Sequence, residues 1–353
     1  MRSIILRTIQ TSIFRLTLAL GLIVPTAVSA SSEPADVRVL VDVSGSMKQA
    51  DPNAVRGPAT ALLAALLPDN SLGGIWLFGS DVRPLVPYGP VSSRWSALGS
   101  PIESSIGSTD RFTHIESALR TGVEAGPTDQ AACHIMLITD GIVDVQGGKE
   151  ASQASRDRIL KTVLPAAQAR QCRVHTIALS DSADLPLLRQ IALQTNGLFT
   201  LIDRPGDLIP VMLDALELAL RSQQLPVRDN QIVVDADISQ LRLIRLNNET
   251  PIAIRGAQGV MNQETNRPGL DWYRGRGYEA LIWNRPSAGT YTLETPLGPN
   301  DRILIDSPVI LNLTDLAPTI AANQSLGLAA NVSGPDGIRQ DPTREYRLAF
   351  GIN

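Results

Sequence analysis

The sequence predicts an α/β fold, a doubly wound and mostly parallel sheet, followed by a smaller all-β, sandwich-like domain. Three observations carry this. Short apolar runs alternate with helical segments up to about residue 222, the mark of βαβ units with helices on both faces of an open sheet. From about Pro226 the period falls to two, with Pro- and Gly-rich turns between short strands, as in an antiparallel sandwich. The length of 353 residues accommodates two domains at roughly 150 residues each.

Residues 1–30 read as an address. Arg2 and Arg7 precede the uncharged stretch Leu16 to Val24, Pro25 breaks it, and Val28-Ser29-Ala30 offers small residues for cleavage. Such an apolar run fits a secretory signal and is too short to span a bilayer. No later stretch approaches 18 apolar residues, so after cleavage no membrane insertion is expected, and the chain is expected in the periplasm, at the cell surface or outside the cell. Net charge is −4. Loss of Arg2, Arg7 and Arg15 with the signal leaves 31 − 3 = 28 basic against 35 acidic residues, or −7. With 4% aromatics, there is neither a basic field nor a stacking platform for nucleic acid.

Asp36 to Val43 is a β-branched and Leu run typical of a strand buried on both faces. Asp51-Pro52 reads as a helix start leading into Ala59 to Leu67. Gly73 to Phe78 is a second strand, Thr113 to Val123 a helix, and His134 to Thr139 a strand ending at Asp140-Gly141. A helix over about 155–170, the strand Val174 to Leu179, the helix Leu185 to Thr195, the short strand Leu198 to Ile202 and a helix from Asp207 to Leu220 complete the α/β part, 36–222. It is expected to fold alone in a chain ending near Gln223. In 226–306, Ile232, Val234, Ala236 and Ile238 alternate with polar residues, as do Leu241 and Leu243 with Arg242 and Arg245; Tyr278, Ala280 and Ile282 form another such run. Residues 307–353 hold about three strands, which complete the sandwich or begin a further domain.

At the carboxyl end of the first strand stand Asp42, Ser44 and Ser46. In an open α/β sheet ligands bind beyond the carboxyl ends of the strands. Asp140 ends another strand in the same layer, and Thr113 opens the helix between them. Two carboxylates and three hydroxyls form an all-oxygen donor set suited to a hard cation such as Mg²⁺, or Mn²⁺ or Ca²⁺. Asp42-Val43-Ser44-Gly45-Ser46, Thr113 in Thr-x-Ile-x-x-Ala-Leu, and Thr139-Asp140-Gly141 resemble, over about residues 36–222, the von Willebrand factor A domain and its metal-ion-dependent adhesion site. The resemblance implies that Ser44, Ser46 and Thr113 contact the metal directly, and that Asp42 and Asp140 act largely through water. It further implies a protein ligand whose acidic side chain supplies the last metal ligand. Relatives of the integrin type carry further acids after the second Ser; Gln49 and Ala50 stand here, which disfavours a second cation.

Plainer roles exist for the same residues. Ser44 and Ser46 suit a turn, Thr113 with Glu116 fits a capping box, Thr109 competes for the ligand position of Thr113, and Asp144 reads as a loop carboxylate. His114, near the crevice, is a candidate ligand contact. His134 and His175 lie on strands, and the three histidines are not expected to converge. No nucleophile elbow, zinc helix or phosphate loop is present. The expectation is therefore a non-enzyme: a metal-dependent adhesion or scaffold module. A subunit of a larger envelope machine, and a hydrolase using Asp42 or Asp140 as base, are the alternatives. The Asn-x-Ser/Thr sites at Asn248, Asn312, Asn323 and Asn331 matter only in a glycosylating pathway. Cys133 and Cys172 precede two strands that are neighbours in a doubly wound order. Strand starts about 4.8 Å apart permit a disulfide, which persists in an oxidising compartment.

Overall fold

A computed structural model describes residues 34–313 except 70, 93–94, 96–97, 128–132 and 247–249, with only the backbone of 310–313, 330–334 and 337–338. The expected signal at 1–30, Asn248 and Asn323, and residues 314–329 and 339–353 of the C-terminal segment lie outside the described residues.

The first part runs β1 (Asp36–Asp42), α1 (Met47–Ala50), α2 (Arg56–Leu66), β2 (Leu72–Phe78), β3 (Val82–Pro90), α3 (Gly99–Ser105), α4 (Ile115–Glu124) and β4 (Cys133–Thr139). It continues with α5 (Gly148–Arg158), a π-helical turn (Ile159–Val163), α6 (Leu164–Ala169), β5 (Arg173–Ala178), α7 (Leu185–Gln194), β6 (Phe199–Leu201) and α8 (Leu208–Leu220). The sheet order is β3-β2-β1-β4-β5-β6, parallel throughout except for β3, which pairs antiparallel with β2. Every residue of β1 and β4 is buried, as a run apolar on both faces requires. On one face Val37, Val39, Val41, Met136 and Ile138 pack against α2 and α8. On the other, Leu40, Ile135, Leu137 and Val174 pack against α4, α6 and α7.

Three local expectations are corrected. The edge strand β3 was not anticipated, because Pro84, Pro87 and Pro90 interrupt its pattern; an edge tolerates missing donors. The helix after β1 starts at Arg56, with Pro52 in the preceding turn, because the Asp51 carboxylate accepts the N–H groups of Val55 (2.7 Å) and Arg56 (3.1 Å) from four and five residues back. The helix expected over about 155–170 begins at Gly148; its first half is too polar to show an apolar face. Its π turn ends just before Pro165, which lacks an N–H and clashes with the carbonyl four residues earlier.

The second part comprises β7 (Gln223–Gln224), β8 (Gln231–Val234), β9 (Gln240–Arg245), β10 (Ile254–Gly256), β11 (Gly259–Met261), β12 (Leu270–Gly275), β13 (Tyr278–Asn284), β14 (Gly289–Leu293) and β15 (Arg302–Asp306). They form two antiparallel sheets, β11-β10-β14-β8 and β12-β13-β9-β15-β7. The sheets enclose Ile232, Val234, Leu241, Leu243, Leu281, Trp283 and Tyr291. Three further strands, β16 (Ile310–Leu313), β17 (Ala330–Gly334) and β18 (Gly337–Ile338), pair among themselves.

The middle strands of the five-stranded sheet, β13, β9 and β15, are buried on both faces. Ile244, Tyr278, Ala280, Ile282 and Leu304 join the apolar core of α2 and α8, so β13 is buried from Tyr278 through Trp283. The apolar core of the α/β part therefore extends past Gln223 into the β-sheet part. The alternation read at β9 also fails. Arg242 and Arg245, read as the polar face, are both buried. Arg242 donates to both carboxylate oxygens of Asp306 (2.9 and 2.7 Å), and Arg245 lies 3.5 Å from Asp301 and donates to the carbonyl of Thr295 (3.0 Å). Among the described residues no helix is long and apolar enough to cross a membrane.

Candidate metal centre

The carboxyl end of β1 delivers Asp42 into a fully buried position. Its carboxylate accepts the backbone N–H of Ser44 (2.8 Å) and the hydroxyl of Thr139 (2.5 Å). Ser44 and Ser46 follow on the turn into α1, with their hydroxyls 3.1 Å apart, and Ser46 donates to Asp140 (2.9 Å). Because β1 and β4 pair in register, Val41 opposite Ile138, the loops that follow them meet. Asp42, Ser44, Ser46 and Asp140 are thus brought together.

Thr113 joins them from the loop before α4. Its backbone pairs with Asp144 in both directions (2.8 and 3.2 Å), and a Cβ added at Gly141 would stand 2.8 Å from its methyl and 3.3 Å from its hydroxyl oxygen. Gly141 thereby permits the threonine to lie against the Asp140 loop. Thr113 is buried, whereas Thr109 is exposed and directs its hydroxyl to its neighbour Asp110 (3.3 Å). The capping box is not formed: no side chain caps α4 at His114, and Glu116 instead accepts from Arg120 (3.0 Å), Ser155 (2.8 Å) and Arg158 (2.9 Å). His114 is half-buried on the same loop, its backbone N–H on the carbonyl of Gly79 (3.0 Å).

Electrostatics favour a cation. Burial pushes the Asp42 carboxyl up to about 6 against the lowering by hydrogen bonds from Thr139 and Ser44, and the charge of Asp140 adds to the rise. Burial also raises Asp140, opposed by the Ser46 hydrogen bond and by the charge of Arg56. Among the described residues no Lys, Arg or His donates to either carboxylate. Two buried acids face a cluster of hydroxyls with no side-chain countercharge in contact, an arrangement costly unless a cation completes it.

Residues 36–208 match the family model of the von Willebrand factor type A domain. This part of the chain is a von Willebrand factor A domain. Among solved structures the chain is similar to a von Willebrand factor type A protein of Catenulispora acidiphila, with 11% identity over 86% of this chain and 62% of that one and a TM-score of 0.46. It is also similar to the conserved hypothetical protein BatB of Bacteroides thetaiotaomicron (17% identity, 53% and 100% coverage, TM-score 0.39). A third is proximal thread matrix protein 1 from the mussel byssus, with a zinc-occupied metal-ion-dependent adhesion site (18%, 53% and 48%, TM-score 0.40). The chain spans about 62% of the length of the first of these. No curated protein matches it.

Among the described residues no three His, Cys, Asp or Glu side chains gather as a metal cluster; the side-chain oxygens gathered here belong to two carboxylates and to hydroxyls. Two supporting residues escaped the sequence reading. Thr139, quoted only as part of a motif, fixes the Asp42 carboxylate. Arg56, fully buried, donates to the backbone carbonyl of Asp42 and to Ser108 (2.8 Å); the one signal for it is an arginine at the head of an otherwise apolar helix. The histidines need a correction too. His134 and His175 do converge, with Nδ1 of the former 3.0 Å from Nε2 of the latter, but they do so on β4 and β5 near the strand starts, away from Asp42.

Proposed function

We propose that this protein is an exported, non-enzymatic module that binds another protein through a divalent cation held by Ser44, Ser46 and Thr113 with Asp42 and Asp140. The observation that carries the reading is the pair of buried carboxylates set among hydroxyls without a countercharge. An all-oxygen set of this kind suits Mg²⁺, with Mn²⁺ or Ca²⁺ as substitutes. When bound, the cation would supply positive charge that a carboxylate from the partner can complete. Hydroxyl donors neutralise little of that charge, which favours an acidic side chain on the partner. The leader-like residues 1–30 and the disulfide support export. The histidine pair lies apart from the acids, so it supplies no base to them.

The test is capture of partners from an envelope extract by the immobilised full chain, in Mg²⁺ against chelator, for wild type and Asp42→Ala. The expected result is capture that requires Mg²⁺ and is lost in the variant. Equal capture by both proteins in Mg²⁺ would overturn the reading.

A further inference from the structure

Among the described residues, one side chain of the β-sheet part, Arg276, hydrogen-bonds to the turn that leads to the candidate metal site. Arg276 sits at the tip of the β12–β13 hairpin, between Gly275 and Gly277. Its guanidinium donates through Nε to Glu103 on α3 (3.1 Å), through Nη1 to the carbonyl of Asn53 (2.9 Å) and through Nη2 to the carbonyl of Ala54 (2.9 Å). Ala54 has φ of +48°, a left-handed conformation that costs energy for a residue with a Cβ. It is held from both sides, because its own N–H donates to the carbonyl of Asp51 (2.9 Å).

From this turn the path is hydrogen-bonded throughout. The Asp51 carboxylate takes the N–H groups of Val55 and Arg56 and the Nε of Arg56 (2.8 Å). Arg56 in turn holds the carbonyl of Asp42 and the hydroxyl of Ser108. Beyond Ser108, the N–H groups of Thr109 and Asp110 donate to the carbonyl of Val43 (3.0 and 3.1 Å), and Gly45 donates to the carbonyl of Asp110 (2.7 Å). Arg56 thus grips both backbone segments that carry the loop of Asp42, Ser44 and Ser46.

We propose that Arg276 is a positioning residue for the metal site, coupling the β-sheet part to cation affinity through the 51–56 turn and Arg56. The inference rests on the metal-dependent reading above. Coupling of this kind is reciprocal: cation binding steadies the hairpin to the degree that the hairpin steadies the site. A partner docked on the β-sheet part would thereby alter binding at the cation.

The test measures Mn²⁺ affinity of the full chain by water-proton relaxation, alongside the melting temperature, for wild type, Arg276→Ala, Arg276→Lys and Arg302→Ala. Arg302 is the matched control. It ties β15 to α8, 3.4 Å from both Asp214 and Glu217, and so bridges the same two parts without a bond to the 51–56 turn or Arg56. Arg276→Ala should weaken Mn²⁺ binding roughly 2- to 30-fold, the range for residues that couple sites without touching ligand. Lys should restore little, since one ammonium cannot span three acceptors as the planar fork does. Arg302→Ala should lower the melting temperature and leave Mn²⁺ affinity unchanged. In the wild type, Mg²⁺ should slow amide hydrogen exchange at residues 275–278 as well as at 55–56. Unchanged Mn²⁺ affinity in Arg276→Ala, or equal weakening in Arg302→Ala, would overturn the inference alone. A wild type that binds no Mn²⁺ would overturn the metal reading, and the inference with it.

Discussion

The two ends of the parallel sheet handle buried charge in opposite ways. At the start of β1 the buried charges Asp36 and Arg38 have fixed partners. Arg38 donates to both carboxylate oxygens of Asp36 (3.0 and 2.5 Å) and to the carbonyls of Gly122 (2.6 Å) and Val123 (3.1 Å), which lie in the last turn of α4. Tyr88 donates to the same carboxylate (2.9 Å), and burial together with the Asp36 charge pushes its phenol up to about 12. Cys133 and Cys172, with Cα atoms 4.4 Å apart, are joined there as a disulfide. At the strand ends, about 20 Å away along a seven-residue strand, Asp42 and Asp140 have no such cationic partner among the described residues. The same registered strands therefore lock one edge and leave the other short of positive charge, which separates stability from binding along the length of β1 and β4.

One substitution made at each end of β1 is the strongest way to break that comparison. Asp36→Asn leaves the guanidinium of Arg38 buried beside a neutral group; removing one member of a buried pair costs about 3–5 kcal/mol. Unfolding by urea should show that loss, with cation binding of the folded protein unchanged. Asp42→Asn should do the reverse. The amide oxygen keeps an acceptor for the Ser44 N–H, its NH2 donates to the Thr139 hydroxyl where the carboxylate accepted from it, and a carboxylate whose burial is unfavourable is gone, so stability should shift by no more than about 1 kcal/mol while the cation response disappears. If Asp42→Asn proves the more destabilising of the two, the division of labour is wrong.

The disulfide comes next in size. It closes a loop of 39 residues, for which chain entropy gives about 4 kcal/mol at most. The double variant Cys133→Ala/Cys172→Ala should melt lower than wild type by an amount that reduction of the wild type reproduces. Mn²⁺ affinity at room temperature should be the same in all three samples. A loss of affinity on reduction would mean that the two edges are coupled through β4.

What could be read from the sequence follows the range of the interactions. The buried strands were legible because β1 and β4 are largely apolar on both faces, and the grouping of Asp42, Ser44, Ser46 and Asp140 was legible because they sit within a few residues of strand ends. The disulfide followed from two cysteines placed just before strands that are neighbours in the expected order. The misreadings involve partners distant in sequence. Arg242 and Arg245 look solvated until Asp306 and Asp301, some sixty residues on, are brought against them. Arg56 looks like an ordinary first-turn residue until Ser108 arrives from another loop. The shared core at Tyr278, Ala280 and Ile282 was hidden because a strand buried on both faces was not expected in a small sandwich.

Near neutral pH the smallest effect should come from the histidine pair, and it sharpens the comparison because on acidification it gives the locked edge a pH dependence of its own. His175 accepts the N–H of Leu198 at Nδ1 (3.2 Å), so its proton is on Nε2, which donates to Nδ1 of His134 (3.0 Å). Neither ring can take a second proton without losing this arrangement. Burial holds both near 4, with the charge of Arg173 adding at each ring, Arg221 at His134, and His134 itself at His175. Unfolded histidine takes up its proton near 6.5. Between about pH 6.5 and 4 the unfolded chain therefore binds more protons than the folded one, and stability falls as the pH is lowered through that window, by at most about 1.4 kcal/mol per pH unit for each histidine. Above 6.5 both states are neutral and the contribution is flat. His134→Asn, whose amide can stand near the position of Nδ1, removes one of the two titrations. Its melting temperature should decline less steeply than that of wild type between pH 6.5 and 4.5 in chelator, where the titration of Asp42 and Asp140 is common to both proteins. Parallel curves for the two proteins would show that the pair does not govern the acid sensitivity of this edge.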